Sequence, residues 1–186
     1  MRFARLALAF LVPIVLLATF KFSRMGYESP EYQVELKDGP FEIRQYPEML
    51  LASTPMLRDT SREDDGFMLL FGYITGANDT GEKIAMTTPV LTTEGDDGDR
   101  ISFIAPQEMT RDEAPSAEDA RIEIETMEAG RFAVYRFSGR WQPGEFGDAK
   151  QKLLAWIDQQ NLTITGDTLT AGYDPPFTPP FTLFPV

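Results

Sequence analysis

Apolar and polar residues alternate over residues 32–36, with the period of a strand that is buried on one face. The sequence Lys-Asp-Gly-Pro at 37–40 then predicts a turn. Residues 41–56 continue as a second extended segment. Together these segments predict a β-hairpin near the start of the folded body.

The next stretch has the period of a helix. Residues 61–64, Ser-Arg-Glu-Asp, form a helix-start sequence. Four apolar residues follow at helical spacing, namely Phe67, Leu70, Phe71 and Ile74. The pattern therefore predicts a helix over 61–76, which the glycine-containing segment 76–81 ends. Two extended runs, 83–93 and 100–105, complete a ββαββ order.

The second half of the chain repeats this order. After a polar loop at 106–120, the runs 122–126 and 132–137 predict two strands, and 144–160 predicts a helix. Two final extended runs are predicted at 168–173 and 181–186. The expected fold is α+β: two pseudo-repeated ββαββ halves whose antiparallel strands form a sheet or a distorted barrel, with two flanking helices.

The N-terminal residues have a different character. Residues 6–20 are an unbroken apolar stretch with arginine or lysine on both sides. This pattern predicts a hydrophobic helix in residues 1–26 that contacts the membrane through residues 6–22, either as an uncleaved anchor, which we favour, or as a cleaved signal peptide. The basic flanks argue against a buried core helix. The remaining domain, 27–186, is then expected on the exported, extracytoplasmic side.

Composition excludes several classes of function. The chain has 186 residues, enough for one ordinary domain, and 17 basic residues against 29 acidic ones. Without residues 1–26 the balance is 13 against 29, a net charge of −16, which excludes a phosphate-tracking nucleic-acid binder. The chain contains no histidine and no cysteine, so Ser-His-Asp and Cys-His catalysis, structural zinc and disulfides are excluded. No paired carboxylates stand out, so binding is favoured over catalysis.

Two long segments resemble the signature segments of the SOUL family of haem-binding proteins. They are residues 73–90, YITGANDTGEKIAMTTPV, and residues 171–180, AGYDPPFTPP. The resemblance runs in order from about residue 32 to residue 181 and includes Gly139-Arg140-Trp141. It implies a fold of two pseudo-symmetric halves. It also implies reversible, non-covalent binding of haem or another tetrapyrrole, as a carrier or buffer rather than as an enzyme.

By position, the resemblance places the ring against the first helix and the Tyr-Asp-Pro-Pro loop. The implied binding residues are Phe67, Leu70, Phe71, Ile74 and Phe177. An apolar groove with aromatic side chains suits a wide apolar plate. From periodicity alone, core packing of the helix stripe is the alternative, as is a domain of the same architecture that binds or turns over another apolar small molecule without haem.

The contacts to the iron and the propionates depart from the family pattern. With no imidazole or thiolate, an iron ligand would be a tyrosine, a methionine or water, and we assign no metal-binding residue. The ligand that the resemblance implies is haem or iron-free protoporphyrin. Asp64, Gly72 and Thr178 occupy the positions of the family's basic residues, and the nearest bases by sequence are at 58, 62 and 83.

Two glycines in the predicted helix need a physical reason, because each costs a helix roughly 1 kcal/mol. They are Gly66 and Gly72. Either a ligand approaches the backbone there, or the helix packs closely on a strand.

Overall fold

The structure is a computed structural model, and it describes residues 27–56, 65–95, 98–137 and 143–173. The predicted N-terminal anchor, Phe177 and the predicted strand 181–186 lie outside the described residues. Across the described ranges, no helix is both long and apolar enough to cross a bilayer.

The described residues form strands and two helices in an α+β order, which confirms the predicted class. In chain order the elements are β1 (Gln33–Asp38), β2 (Phe41–Tyr46), β3 (Met49–Pro55), α1 (Asp65–Ile74), β4 (Val90–Thr93), β5 (Arg100–Ile104), β6 (Glu123–Met127), β7 (Gly130–Tyr135), α2 (Pro143–Gln159) and β8 (Leu169–Gly172).

The strands pair antiparallel in two sheets. One sheet has the order β1-β2-β7 and the other has the order β6-β3-β5-β4-β8. Within the described residues these sheets do not close into a barrel, so the sheet alternative of the prediction applies. Each sheet combines strands from both predicted halves of the chain.

Two predicted strands differ from the structure. The segment 41–56 divides at Pro47 and Glu48 into β2 and β3, which belong to different sheets. Pro47 has no N–H to continue a ladder, which explains a break at this point. The predicted run 83–93 is a strand only from Val90 onwards, directly after Pro89.

Helix α1 ends two residues before its predicted end, and its predicted first residues 61–64 lie outside the described residues. Gly76 adopts a positive φ of 119°, a conformation that favours glycine. The N–H of Ala77 then donates to the carbonyl of Gly72 (2.9 Å), and the N–H of Gly76 donates to that of Tyr73 (3.3 Å). This pair of bonds is the Schellman arrangement, which ends the helix.

The helices cover the two sheets. Helix α1 packs on β3 and β5, where Leu70, Tyr73 and Ile74 join a core cluster with Ala52 and Phe103. Burying a residue such as Leu70 contributes roughly 1.5–3 kcal/mol. Helix α2 packs on β7 and buries its own apolar side chains on the three-stranded sheet. The α1 side of the larger sheet is therefore where the first predicted site residues lie.

Candidate functional site

Helix α1 is apolar on both of its sides. Towards the sheet, Leu70 has no exposed surface, and Tyr73 and Ile74 are buried. Towards solvent, Met68 is 50% exposed and Phe71 is 41% exposed. No charged residue follows Asp65 in this helix. A surface helix normally presents polar side chains to water, so this face has the composition of a contact surface.

The ring of Phe67 links the exposed face to the core. It packs edge-on against Phe103, with the ring centroids 5.1 Å apart. It also stacks on Phe71, with centroids 6.2 Å apart and ring planes 12° from parallel. We call the surface formed by Phe67, Met68 and Phe71 the helix platform. The exposed ring of Phe71, backed by Phe67, offers an aromatic surface that suits stacking against another ring system.

The sheet register shows on which face of the larger sheet the second signature segment begins. Phe103 of β5 pairs with Val90 of β4, and Val90 pairs with Gly172 of β8. Paired residues on neighbouring strands lie on one face of a sheet. Gly172 therefore occupies a position on the sheet face that carries α1. Its neighbour Tyr173, the first residue of the Tyr-Asp-Pro-Pro segment, lies close enough to Tyr46 of β2 to affect the pKa of Tyr46, which places Tyr173 on the opposite face.

The predicted binding residues divide into two groups. Leu70 and Ile74 are buried in the core, where they fix α1 to the sheet, as the packing alternative predicts. Phe67 and Phe71 form the platform, with Phe71 the more exposed of the two. Phe177 lies outside the described residues.

The two helix glycines have different surroundings. A Cβ at Gly66 would lie 2.8 Å from Cγ2 of Ile101, so this glycine allows α1 to approach β5 closely. A Cβ at Gly72 would contact only Cβ of Ala77, at 3.9 Å. Strand packing thus explains Gly66, whereas packing among the described residues does not explain Gly72.

Sequence reasoning missed a buried amide just after α1. Asn78 is 3% exposed, and its Nδ2 donates to the carbonyls of Tyr73 (2.9 Å) and Glu82 (2.7 Å). Its Oδ1 accepts from the N–H of Glu82 (3.0 Å) and the hydroxyl of Thr80 (3.0 Å). One side chain therefore closes the 76–82 turn. Asx chemistry in the Asn-Asp-Thr-Gly segment is the signal that predicts such a turn.

The same turn is fixed to the loop that precedes β6. The hydroxyl of Tyr73 donates to the carbonyl of Pro115 (2.8 Å), and Oδ1 of Asp79 accepts from the N–H of Ser116 (2.9 Å). Burial, with a smaller contribution from the charge of Asp79, raises the pKa of Tyr73 above its usual value. The Tyr73 hydroxyl is therefore neutral and already bonded, which makes it unsuitable as an iron ligand.

The buried charges on the three-stranded sheet form a separate cluster. Arg44 donates from Nε and Nη2 to Oε2 of Glu42, at 2.8 Å each. Oε1 of Glu42 lies 3.1 Å from Nζ of Lys37 and 3.7 Å from Nη1 of Arg136. Burial raises the pKa of Glu42, but the hydrogen bonds from Arg44 and Lys37 outweigh burial and hold it below its usual value. These bases are already paired.

Lys83 is a described base that follows α1 in the chain. It is exposed and makes no ion pair with the described residues. Its neighbour Ile84 donates its N–H to the carbonyl of Ile74 (2.9 Å), which places Lys83 beside the C-terminal end of α1. Of the three bases considered from the sequence, the other two lie outside the described residues.

The donor set fits the ring of a haem better than its iron. In the described ranges, no group of three histidine, cysteine, aspartate or glutamate side chains is placed to hold a metal ion. The platform offers the thioether of Met68, a weak ligand, among apolar surfaces. The platform therefore suits a macrocycle held mainly by its faces.

Comparison with known proteins identifies the family and the fold of this chain. No curated protein matches the chain. Among solved structures, the crystal structure of the EcmrR C-terminal domain is similar, with 13% sequence identity, a TM-score of 0.52, and coverage of 80% of this chain and 89% of that chain. This likeness shows the fold alone. The family model described as SOUL heme-binding protein matches residues 27–182. The chain therefore belongs to the SOUL family of haem-binding proteins.

Proposed function

We propose that this protein binds haem or another tetrapyrrole reversibly and non-covalently on the helix platform, as a carrier or buffer. The observation that carries the proposal is the charge-free, exposed aromatic surface of α1, which the contact between Phe67 and Phe103 fixes to the core. Family membership supports the ligand class.

Apolar contact is sufficient for useful affinity. At roughly 25 cal/mol per Å², a few hundred Å² of buried apolar surface supplies several kcal/mol before the cost of association is subtracted. When bound, haem brings the redox and ligand-binding chemistry of its iron. The residues of this chain bind and orient the ring, with Phe71 and Met68 contacting its face and Phe67 supporting Phe71.

Two further groups complete the proposed site. Lys83, at the C-terminal end of α1, is available to pair with a propionate. Phe177 covers the other side of the ring, a role that the family resemblance implies. The apolar residues 6–22 tether the domain to the membrane, on its extracytoplasmic side.

The methionine methyl groups provide a site-specific test. The chain has eight methionines, of which Met68 lies on the platform, whereas Met49 and Met109 lie elsewhere. The full chain, labelled with ¹³C at the methionine methyls and kept in a non-ionic detergent, is titrated with iron-free protoporphyrin and then with haem. We expect a saturable ring-current shift of the Met68 methyl with protoporphyrin and line broadening with ferric haem. The methyls of Met49 and Met109 should not respond.

Detergent also dissolves porphyrins, so a matched variant is needed. Leu154→Asp changes an apolar side chain on the exposed side of α2, where Leu154 is 40% exposed, in the same way that Phe71→Asp changes the platform. Only Phe71→Asp should weaken the Met68 response. If neither tetrapyrrole gives a saturable response, the haem proposal is wrong, and the alternative of another apolar small molecule is favoured.

A further inference from the structure

A cavity of about 250 Å³ lies at the N-terminal end of β3. The start of α1 lies at the opposite end of this strand. Three segments enclose the cavity: residues 28–30, the turn at Pro47 and Glu48, and the loop 105–111. None of the platform residues lines it. We call this cavity the loop cleft.

Hydrogen bonds fix the walls of the loop cleft. Oε1 of Glu28 accepts from the N–H of Gln107 across the cleft (2.8 Å). The backbone carbonyl of Glu28 accepts from the N–H of Thr88 (2.7 Å). The N–H of Ala105 donates to the carbonyl of Leu50 (2.8 Å), which joins the loop to β3. The cleft is therefore a built feature of the fold.

The lining combines an apolar floor with acidic groups. The apolar lining residues include Met49, Leu50 and Met109, and the polar ones include the exposed residues Glu28 and Glu48. Among the described residues that line the cleft, Arg111 is the one basic residue. Acidic groups thus outnumber basic ones here, within a domain of net charge −16 that repels anions.

We propose that the loop cleft binds a small organic cation, an ammonium or guanidinium group that carries an apolar substituent. The charged group pairs with Glu28 and Glu48, and the apolar substituent packs on Met49, Leu50 and Met109. Charge complementarity selects this class over a carboxylate or a phosphate. The volume is slightly below the roughly 300 Å³ at which sites for drug-sized ligands begin, which favours a small amine over a macrocycle.

This site is independent of the tetrapyrrole proposal, and the same labelled protein tests it. The full chain is titrated with benzylamine, benzyl alcohol and benzoate, which share an apolar ring and differ in charge. We expect saturable shifts of the Met49 and Met109 methyls with benzylamine, a weaker response to the alcohol, and none to benzoate. The Met68 methyl should not move.

Paired variants test the role of the carboxylates. Glu28→Gln combined with Glu48→Gln removes two charges, while the new amide oxygen at 28 still accepts from Gln107. We expect this variant to bind benzylamine about tenfold more weakly. Glu31→Gln combined with Glu82→Gln makes the same change of net charge at exposed positions outside the cleft and should bind as the unmodified chain does.

Two results would overturn the proposal. One is the absence of any saturable shift at Met49 and Met109. The other is an equal response to all three probes, which would show that the cleft does not select for positive charge. A Met68 response to protoporphyrin without a cleft response to benzylamine would refute this inference and leave the proposed function intact.

Discussion

Phe67 lies between the exposed ring of Phe71 and the buried ring of Phe103, and it contacts both. The exposed ring is therefore fixed by a contact that is itself part of the core. An aromatic side chain that is partly exposed but held in place loses little conformational freedom when a ligand covers it. This arrangement makes the platform a pre-formed surface and leads to the first prediction.

Phe71→Asp should reduce protoporphyrin binding without unfolding the protein. Phe71 is 41% exposed, so we expect the free energy of unfolding to change by no more than about 1 kcal/mol. Leu70→Ala, one position away but fully buried, should instead lower it by about 2–5 kcal/mol. Urea unfolding followed by circular dichroism measures both. Unfolding of the Phe71→Asp variant would show that this side chain is core rather than surface.

The two helix glycines should respond in opposite directions to alanine. Gly66→Ala places a Cβ 2.8 Å from Ile101 and should destabilise the fold by about 1–3 kcal/mol. Gly72→Ala meets only Ala77, at 3.9 Å, and should stabilise α1 by about 0.5–1 kcal/mol. Thermal unfolding of the two variants gives the comparison. Equal changes of the same sign would contradict the close approach of α1 to β5.

Asn78→Asp should destabilise the turn after α1. The new carboxylate cannot donate to the carbonyls of Tyr73 and Glu82, which would be left facing a negative charge. We expect a loss of at least about 2 kcal/mol in the free energy of unfolding. Asn161→Asp makes the same chemical change at an exposed residue with a φ of 55°, which either side chain tolerates, and serves as the control.

Arg44 is only 4% exposed, and Glu42→Gln removes its charged partner. This substitution should therefore lower the free energy of unfolding by about 3–5 kcal/mol at neutral pH. Glu123→Gln removes a partner from the exposed pair with Arg100 and should cost less than about 1 kcal/mol. Urea unfolding at neutral pH separates the two. Similar losses for both variants would contradict the burial of the Glu42 pair.

The lowered pKa of Glu42 predicts that the stability of the fold decreases at low pH. The pKa of Glu42 is lower in the folded protein than its usual value of 4.5, so the unfolded chain takes up the proton first. Its contribution to stability is present above pH 4.5 and is lost as the pH falls through the folded pKa. The difference in unfolding free energy between the unmodified chain and Glu42→Gln should therefore shrink on acidification. A constant difference would count against an ionised Glu42 in the fold.

The raised pKa of Tyr46 predicts that the stability of the fold decreases at high pH. Burial is the largest cause that raises the pKa of Tyr46 from 10 to about 12, although the hydrogen bond from Arg44 opposes it. Because the folded pKa is the higher one, the contribution to stability is complete below pH 10 and is lost as the pH rises through about 12. Tyrosinate absorbance is followed as the pH is raised, for the unmodified chain and for Tyr46→Phe. The ionisation that is missing from the variant belongs to Tyr46. Its ionisation near pH 10 would contradict the burial.

Much of the fold follows from local patterns, but the pairing of its strands does not. The α+β class and the positions of the two helices are confirmed because periods of two and of 3.6 residues depend on neighbouring positions. Residues 41–56 look continuous in the sequence, yet they divide between two sheets. Which strands pair is decided by contacts between distant residues, such as that of β3 with β6, so periodicity could not predict this division.

The sequence by itself determined that this protein has no imidazole or thiolate to offer an iron, that its domain is strongly acidic, and that an apolar helix follows the first strands. Only the tertiary structure decided which apolar side chains of that helix are available to a ligand. Helix α1 is apolar on both sides, so its spacing cannot show which side faces the sheet. Packing on β3 and β5 buried Leu70 and Ile74 and left Phe71 and Met68 in contact with water.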